Sequence, residues 1–330
     1  MERGERRSNR GRAAAALLAV ALLGGLLAGC TPSSHTELVR GADGPLPVTF
    51  NVTPLVEALL EDPTASPPGA NDFDCRPTSA HPRPVILVHG LVVTRTFWQT
   101  LSPLLSNNGY SVFALTYGSP EGIKWLGGID NIEDSAEELA EYVQQVLAAT
   151  GAAEVDLIGH SEGTVMPQYY LKRLGGAEHV KRYVALTPLY KGSTGWGIDG
   201  VIHWLEALPL GVGTAFRDFF EAVCPACRDA LAGSEFATDL YADGVVAVPG
   251  VEYTTILTRL DEIVTPWTSG YLDAPGVHNV ILQDGCEEDH SEHLGVPFSP
   301  RAAGFVLNAL DPEHAEPPPC VPVTFVYGTP

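Results

Sequence analysis

The sequence predicts an α/β fold, with a mostly parallel central sheet, helices on both faces and a helical cap insertion. Three observations carry this. Short β-branched runs alternate with amphipathic helical stretches from Val85 to Leu186, the rhythm of parallel strands joined by crossover helices. The run Val85-Ile86-Leu87-Val88 is apolar at every position, as a strand covered on both faces must be. Finally, Gly159-His160-Ser161-Glu162-Gly163 sets a serine between two glycines where a strand gives way to a helix, a turn that presents a nucleophile at a sheet edge. With 330 residues, 45% of them apolar, the chain can bury a sizeable core.

Taken in order, Met1 to Arg12 carries five arginines, and the apolar run Ala13 to Leu26 is short for a membrane span. Residues 1–29 therefore read as an export signal. It ends Leu27-Ala28-Gly29-Cys30, which resembles the lipobox of bacterial lipoproteins and implies lipidation of Cys30; an ordinary cleaved signal or a retained anchor are the alternatives. Residues 30–45 form a polar tether, and 46–330 the folded domain. Val48 to Leu60 opens the body and a proline-rich connector follows from Pro63 to Pro84. After the Val85 strand, Phe97 to Leu105 reads as helix and Ser111 to Tyr117 as extended. Asn131 to Thr150 reads as a helix with Ile132, Ala136, Leu139, Val143 and Val146 on one face and acids in its first turns, where the helix dipole favours them. Val155 to Ile158 is a strand, Thr164 to Leu174 a helix, and Val180 to Leu186 a strand. From about 188 to 250 short apolar helical pieces take over; Trp196 to Phe220 holds too many apolar residues for a solvated loop, and we read it as a cap, with extra core as the alternative. Val251 to Leu260 and Val277 to Leu282 resume the sheet, and Ala302 to Leu310 is a closing helix.

A sheet of this kind places its site at the carboxyl ends of the strands, where Ser161, Leu91 and the loop after Leu186 fall. Candidate partners for the serine are Asp261, just past a strand, with Glu262 as its rival, and one of the two histidines in Asp289-His290-Ser291-Glu292-His293. Those last residues could instead form a metal cluster, although the second ligand run that zinc sites show is missing. Cys224-Pro225-Ala226-Cys227 has redox spacing without thioredoxin context, so a local disulfide is expected. With 40 acidic residues against 19 basic and a net charge of −21, nucleic acid and anionic lipid are disfavoured as partners; a neutral substrate fits.

The chain resembles the class 2 lipase family of exported bacterial lipases, within the α/β-hydrolases, and is more distantly similar to fungal lipase B. The resemblance rests on Asn71-Asp72-Phe73-Asp74-Cys75, Pro84 to Gly90, Val112 to Gly118, the Ser161 motif, Asp261 to Pro266, and Glu292-His293 to Asp311. It implies a Ser161 nucleophile, an Asp261 acid and a His293 base, with the oxyanion held by the backbone N–H groups of Leu91 and Glu162. Family members commonly carry threonine and glutamine at those last two positions; here a threonine hydroxyl donor is lost. The implied activity is that of a serine carboxylic-ester hydrolase, a triacylglycerol lipase or lipid esterase. The alternatives are a short-chain carboxylesterase or polyesterase and, in a different class, a non-catalytic lipid- or polymer-binding surface lipoprotein. The implied chemistry needs no cofactor and no metal. The expected protein is an exported monomer, either secreted or held at the cell surface through its lipidated N-terminus.

With Cys30 lipidated, five cysteines remain, and an odd number cannot all pair within one molecule. Cys224 and Cys227 are near enough for a local bridge. Cys286 with Cys320, mirroring a bridge of fungal lipase B, would pin the tail beside the histidine loop. Related chains have a cysteine where Ser111 stands, so Cys75 is expected to be a free and buried thiol.

Overall fold

The computed structural model describes residues 44–194, 223–244, 246–324 and 327–329. The chain divides into Met1–Gly44 and a compact unit, Pro45–Pro330. The expected signal, Cys30 and residues 30–43 of the tether lie outside the described residues.

Helix α1 (Thr53–Glu61) opens the body, and six parallel strands follow among the described residues: β1 (Val85–Val88), β2 (Val112–Ala114), β3 (Val155–His160), β4 (Val180–Leu186), β5 (Glu252–Leu257) and β6 (Val277–Ile281). Their order is β2-β1-β3-β4-β5-β6. The chain thus steps from β1 to one side, then returns to lay β3 against the other side of β1. Such a reversal of the winding direction is where open α/β sheets place their sites, and here the turns at Leu91 and Ser161 emerge there, at the carboxyl ends of β1 and β3.

Alternate side chains of these strands enter two separate cores. Ile86, Val88, Phe113 and Leu157 face α3 (Ile132–Thr150) and α4 (Met166–Arg173); Val85, Leu87, Ala114 and Ile158 face α2 (Leu101–Asn107) and α7 (Pro300–Leu310). The buried stripe of α3 is Ile132, Ala136, Leu139, Val143 and Val146, the face its periodicity predicts. Where one helix was expected over Phe97 to Leu105, a 3-10 turn at Arg95–Trp98 precedes α2. Pro103 accounts for the break, since a continuous helix would need a proline N–H to reach the Gln99 carbonyl. Similarly, Ser161–Thr164 is a 3-10 turn, and α4 starts only at Met166, with Pro167 in its first turn.

Two further features depart from expectation or refine it. Short helices α5 (Pro225–Asp229) and α6 (Glu235–Leu240) bury Ala226, Phe236 and Leu240 in the same core as α3 and α4. The described flank of the cap region is therefore core; Trp196 to Phe220, on which the cap expectation rests, lie outside the described residues. Cys75 is unpaired but half-buried rather than buried. Its segment runs along the outer edge of the sheet, where Asn71 accepts from the Ala114 N–H at 2.8 Å and donates to the Ala114 carbonyl at 2.9 Å, so one side of the segment faces solvent. Pairing by Asn71 also closes the open edge of β2, which would otherwise offer free backbone groups to another chain.

Cys224–Cys227 and Cys286–Cys320 are bonded. Beyond Cys320 the tail lies against the histidine loop, with Val323 bridging Asp289, and then reaches the start of the body, where the Thr329 N–H meets the Phe50 carbonyl at 2.8 Å. The two disulfides close loops of very different size, with separations of 34 and 3 residues. Replacing Cys286 and Cys320 together by alanine is expected to lower the unfolding free energy by about 3 to 4 kcal/mol, against about 2 kcal/mol for the Cys224 and Cys227 pair. Urea denaturation of both double variants measures the difference.

Candidate active site

The nucleophile turn is built by close packing. All six residues of β3 are buried, and Ser161 follows at φ +57°, a left-handed conformation that is rare outside glycine and is found where function needs it. To turn this sharply, the chain brings Gly159 and Gly163 against backbone. A Cβ on Gly159 would stand 1.9 Å from the Gly163 carbonyl oxygen, and one on Gly163 would stand 2.1 Å from the His89 carbonyl oxygen and 2.5 Å from that of Val88. Gly90 likewise passes Ser161 so closely that a Cβ there would lie 2.9 Å from the serine Cβ. The Thr164 hydroxyl donates to the Ser161 carbonyl at 2.6 Å and accepts the Leu189 N–H at 2.9 Å, locking the turn to the segment after β4.

Ser161, Asp261 and His293 are brought together. His293 Nε2 lies 2.8 Å from Ser161 Oγ, and its Nδ1 lies 3.0 and 3.1 Å from the two Asp261 carboxylate oxygens. A proton on Nδ1 donates to the carboxylate and leaves Nε2 free to accept from the serine. Asp261 is itself oriented by the N–H groups of Ile263 and Val264, at 3.1 and 2.7 Å. Its rival Glu262 accepts instead from the backbone N–H of His293, at 3.2 Å. His290, the other candidate base, points to solvent. Of the remaining residues of the alternative metal cluster, Asp289 is buried and taken up by the Ser291 hydroxyl, the Ser291 N–H and, at 2.8 Å, the Ser299 hydroxyl.

Several contributors were not legible in the sequence. His160, a free position of the motif, donates from Nε2 to the His293 carbonyl at 2.9 Å and stacks on Phe97, with ring centroids 5.0 Å apart. Burial holds its pKa well below the ordinary value, so it acts as a neutral donor. Thr258 donates to the Ser291 carbonyl at 2.6 Å, and Gln283 donates to the Asp289 carbonyl at 3.0 Å; together they tie the histidine loop to the ends of β5 and β6. On the other side, the side chain of Glu162 is fully buried against the Tyr117 hydroxyl. The one available signal was a histidine and a glutamate at otherwise tightly packed positions of a strand-to-helix turn, which buried polar groups occupy only with partners.

Comparison with known proteins agrees with this architecture. The profile of the family described as Lipase (class 2) matches residues 82–296. The chain belongs to the class 2 lipase family. Over 92 residues it is 38% identical to a triacylglycerol lipase of Pseudarthrobacter phenanthrenivorans, covering 26% of this chain and 27% of that protein. A triacylglycerol lipase of Burkholderia plantarii matches equally over 92 residues, with 24% of its length covered. The chain thus spans about a quarter of the length of these curated relatives. In structure it is similar to Aspergillus fumigatus lipase B, with a TM-score of 0.54 and 20% identity over 77% of this chain and 57% of that one. That similarity carries the α/β-hydrolase fold.

The turn leaves no room for a methyl group against backbone that cannot yield. Gly163→Ala in the class 2 lipase turn is therefore expected to cost more than about 3 kcal/mol, beyond the usual range for overpacking. A fall in the thermal midpoint, or loss of soluble protein, reads the effect; an unchanged midpoint would mean that the turn relaxes freely.

Proposed function

We propose that the protein is a serine carboxylic-ester hydrolase, a triacylglycerol lipase or lipid esterase, that works through Ser161, His293, Asp261 and an acyl-enzyme. The observation that carries this is the unbroken hydrogen-bonded series from Ser161 Oγ through both nitrogens of His293 to Asp261, with the serine held in a left-handed turn at the end of β3. His293 takes the Ser161 proton as Oγ attacks the ester carbonyl, and Asp261 holds the ring in the needed tautomer and stabilises the imidazolium. Backbone N–H groups of Leu91 and Glu162, on turns packed against each other, donate to the oxyanion. His293 then protonates the leaving alcohol, and water, activated by the same ring, releases the acid.

The chemistry draws on side chains, backbone and water alone. A neutral ester suits the acidic surface, and the names of the curated relatives favour a lipid ester. Two disulfides fit an oxidising, exported location, consistent with residues 1–29 as signal and Cys30 as the attachment point. Among the described residues no helix is long and apolar enough to cross a membrane.

Ser161→Ala and His293→Ala are each expected to lower kcat by about a thousandfold or more, whereas His290→Ala retains turnover. Asp261→Asn should lose far more than Glu262→Gln. Hydrolysis rates on a ladder of ester chain lengths, together with labelling of Ser161 by an organophosphonate, check these outcomes. Turnover that survives in Ser161→Ala would overturn the mechanism, and binding without labelling would favour a non-catalytic lipid- or polymer-binding protein.

A further inference from the structure

Glu162 contributes two groups to the site. Its backbone N–H is one of the two proposed oxyanion donors, while its side chain turns into the core and is fully buried. There Oε2 meets the Tyr117 hydroxyl, and the same hydroxyl lies 2.5 Å from the His89 carbonyl oxygen. A phenol has one proton to give and here faces two acceptors. Were Glu162 ionised, carboxylate and carbonyl would compete for that proton. Glu162 Oε1, which has no hydrogen-bond partner among the described residues, would also carry uncompensated charge away from water, a costly arrangement. A neutral acid removes both conflicts: Glu162 Oε2–H donates to Tyr117 Oη, Tyr117 O–H donates to the His89 carbonyl, and Oε1 is an uncharged carbonyl oxygen.

We propose that Glu162 rests as a neutral carboxylic acid whose proton, passed on as a hydrogen-bond relay through Tyr117, fastens the Ser161 turn to the His89-Gly90-Leu91 turn, making Glu162 and Tyr117 positioning residues for both halves of the oxyanion site. What is positioned rests on the ester-hydrolase reading above; the protonation state does not. Burial acts first on Glu162 and outweighs the Tyr117 hydrogen bond, which acts to lower its pKa. From β1, His89 is held neutral by burial, its pKa lowered to about 4, with Nδ1–H donating to the Gly90 carbonyl at 2.8 Å and Nε2 accepting the Tyr117 N–H at 3.3 Å. From β3, His160 is likewise neutral. Asp229 of α5, paired with Arg228, disfavours a second negative charge nearby, and Glu138 of α3 acts in the same sense on Tyr117. Burial pushes Glu162 up to about 8 and keeps the phenol well above its ordinary value.

The sign of the pH effect follows. Below that value the relay is intact. As pH rises through it, Glu162 loses its proton, becomes an acceptor and draws the Tyr117 proton away from the His89 carbonyl, so the Leu91 turn loses its tie. On the full chain, selective 13C labelling of glutamate side chains and NMR titration test the resting state directly. One carboxyl resonance, absent from Glu162→Gln, is expected to titrate near pH 8; a Glu162 resonance already ionised at neutrality overturns the proposal. If that variant fails to fold, the infrared carbonyl band of a protonated carboxyl in the unmodified protein at neutral pH serves instead, and its absence overturns the proposal equally. For the positioning role, Glu162→Gln keeps a neutral donor and is expected to lower kcat less than Glu162→Leu, with the alkaline fall in kcat removed and KM little changed. Equal losses in the two variants, or an alkaline fall that persists in Glu162→Gln, would overturn that role. An unreactive Ser161 would remove the hydrolase reading while leaving the titration result standing, so the two failures are distinguishable.

Discussion

Contact without clearance between the Ser161 turn and the end of β1 is the constraint on which the rest of the site depends. Because Gly163 approaches the His89 and Val88 carbonyl oxygens with no space for a side chain, the serine and the Leu91 turn are set by backbone packing at the centre of the sheet, not by flexible side chains. Rigid placement of this sort is what electrostatic stabilisation of a developing charge requires, since donors that must move into place lose much of their advantage. The winding reversal at β1 sets the Ser161 and Leu91 turns side by side, and the two cores that sandwich the strands fix them there.

The proposed base is held differently. His293 comes from a long loop, and loops are mobile unless anchored. Here the anchors are polar and buried or half-buried: Asp289 gathers Ser291 and Ser299, Thr258 and Gln283 tie the loop to the strand ends, Glu262 takes the His293 N–H, and His160 donates to its carbonyl. The ring nitrogens are thereby left for Asp261 and Ser161. A neutral His160 suits this role, because a charged ring beside His293 would disfavour the imidazolium of the proposed mechanism.

How much of this could be read in advance depended on range. Val85–Val88 was legible to the residue because a strand buried on both faces is written as a local apolar run, and the face of α3 because its period is local too; Val180–Leu186 matched although Lys181 and Arg182 interrupt its apolar run. The sharp turn at Ser161 was legible from a five-residue pattern. Asp261 and His293 were singled out by resemblance, while local reading left Glu262 and His290 open; only the third dimension shows Glu262 on a backbone N–H and His290 in solvent. His160 and Tyr117 stayed hidden for the same reason, as their partners lie 133 and 45 positions away. Pro103 splits the expected helix through its missing N–H, an effect that an apolar period does not carry. Cys75 was expected to be free and buried; it is free, and half-buried because its segment hugs an edge strand.

The spacing of the parts along the chain also sets an order in time. Strands β1 to β4 are consecutive neighbours or near neighbours, so the nucleophile turn can form from the first half of the body. His293 stands 132 positions after Ser161, and the hydroxyl of Thr329 reaches back across 279 residues to Phe50. Contacts of such long separation close late, since the loop entropy must be overcome before they stabilise anything. The proposed nucleophile and base therefore depend on contacts of very different range, and their pairing needs nearly the whole body to be assembled.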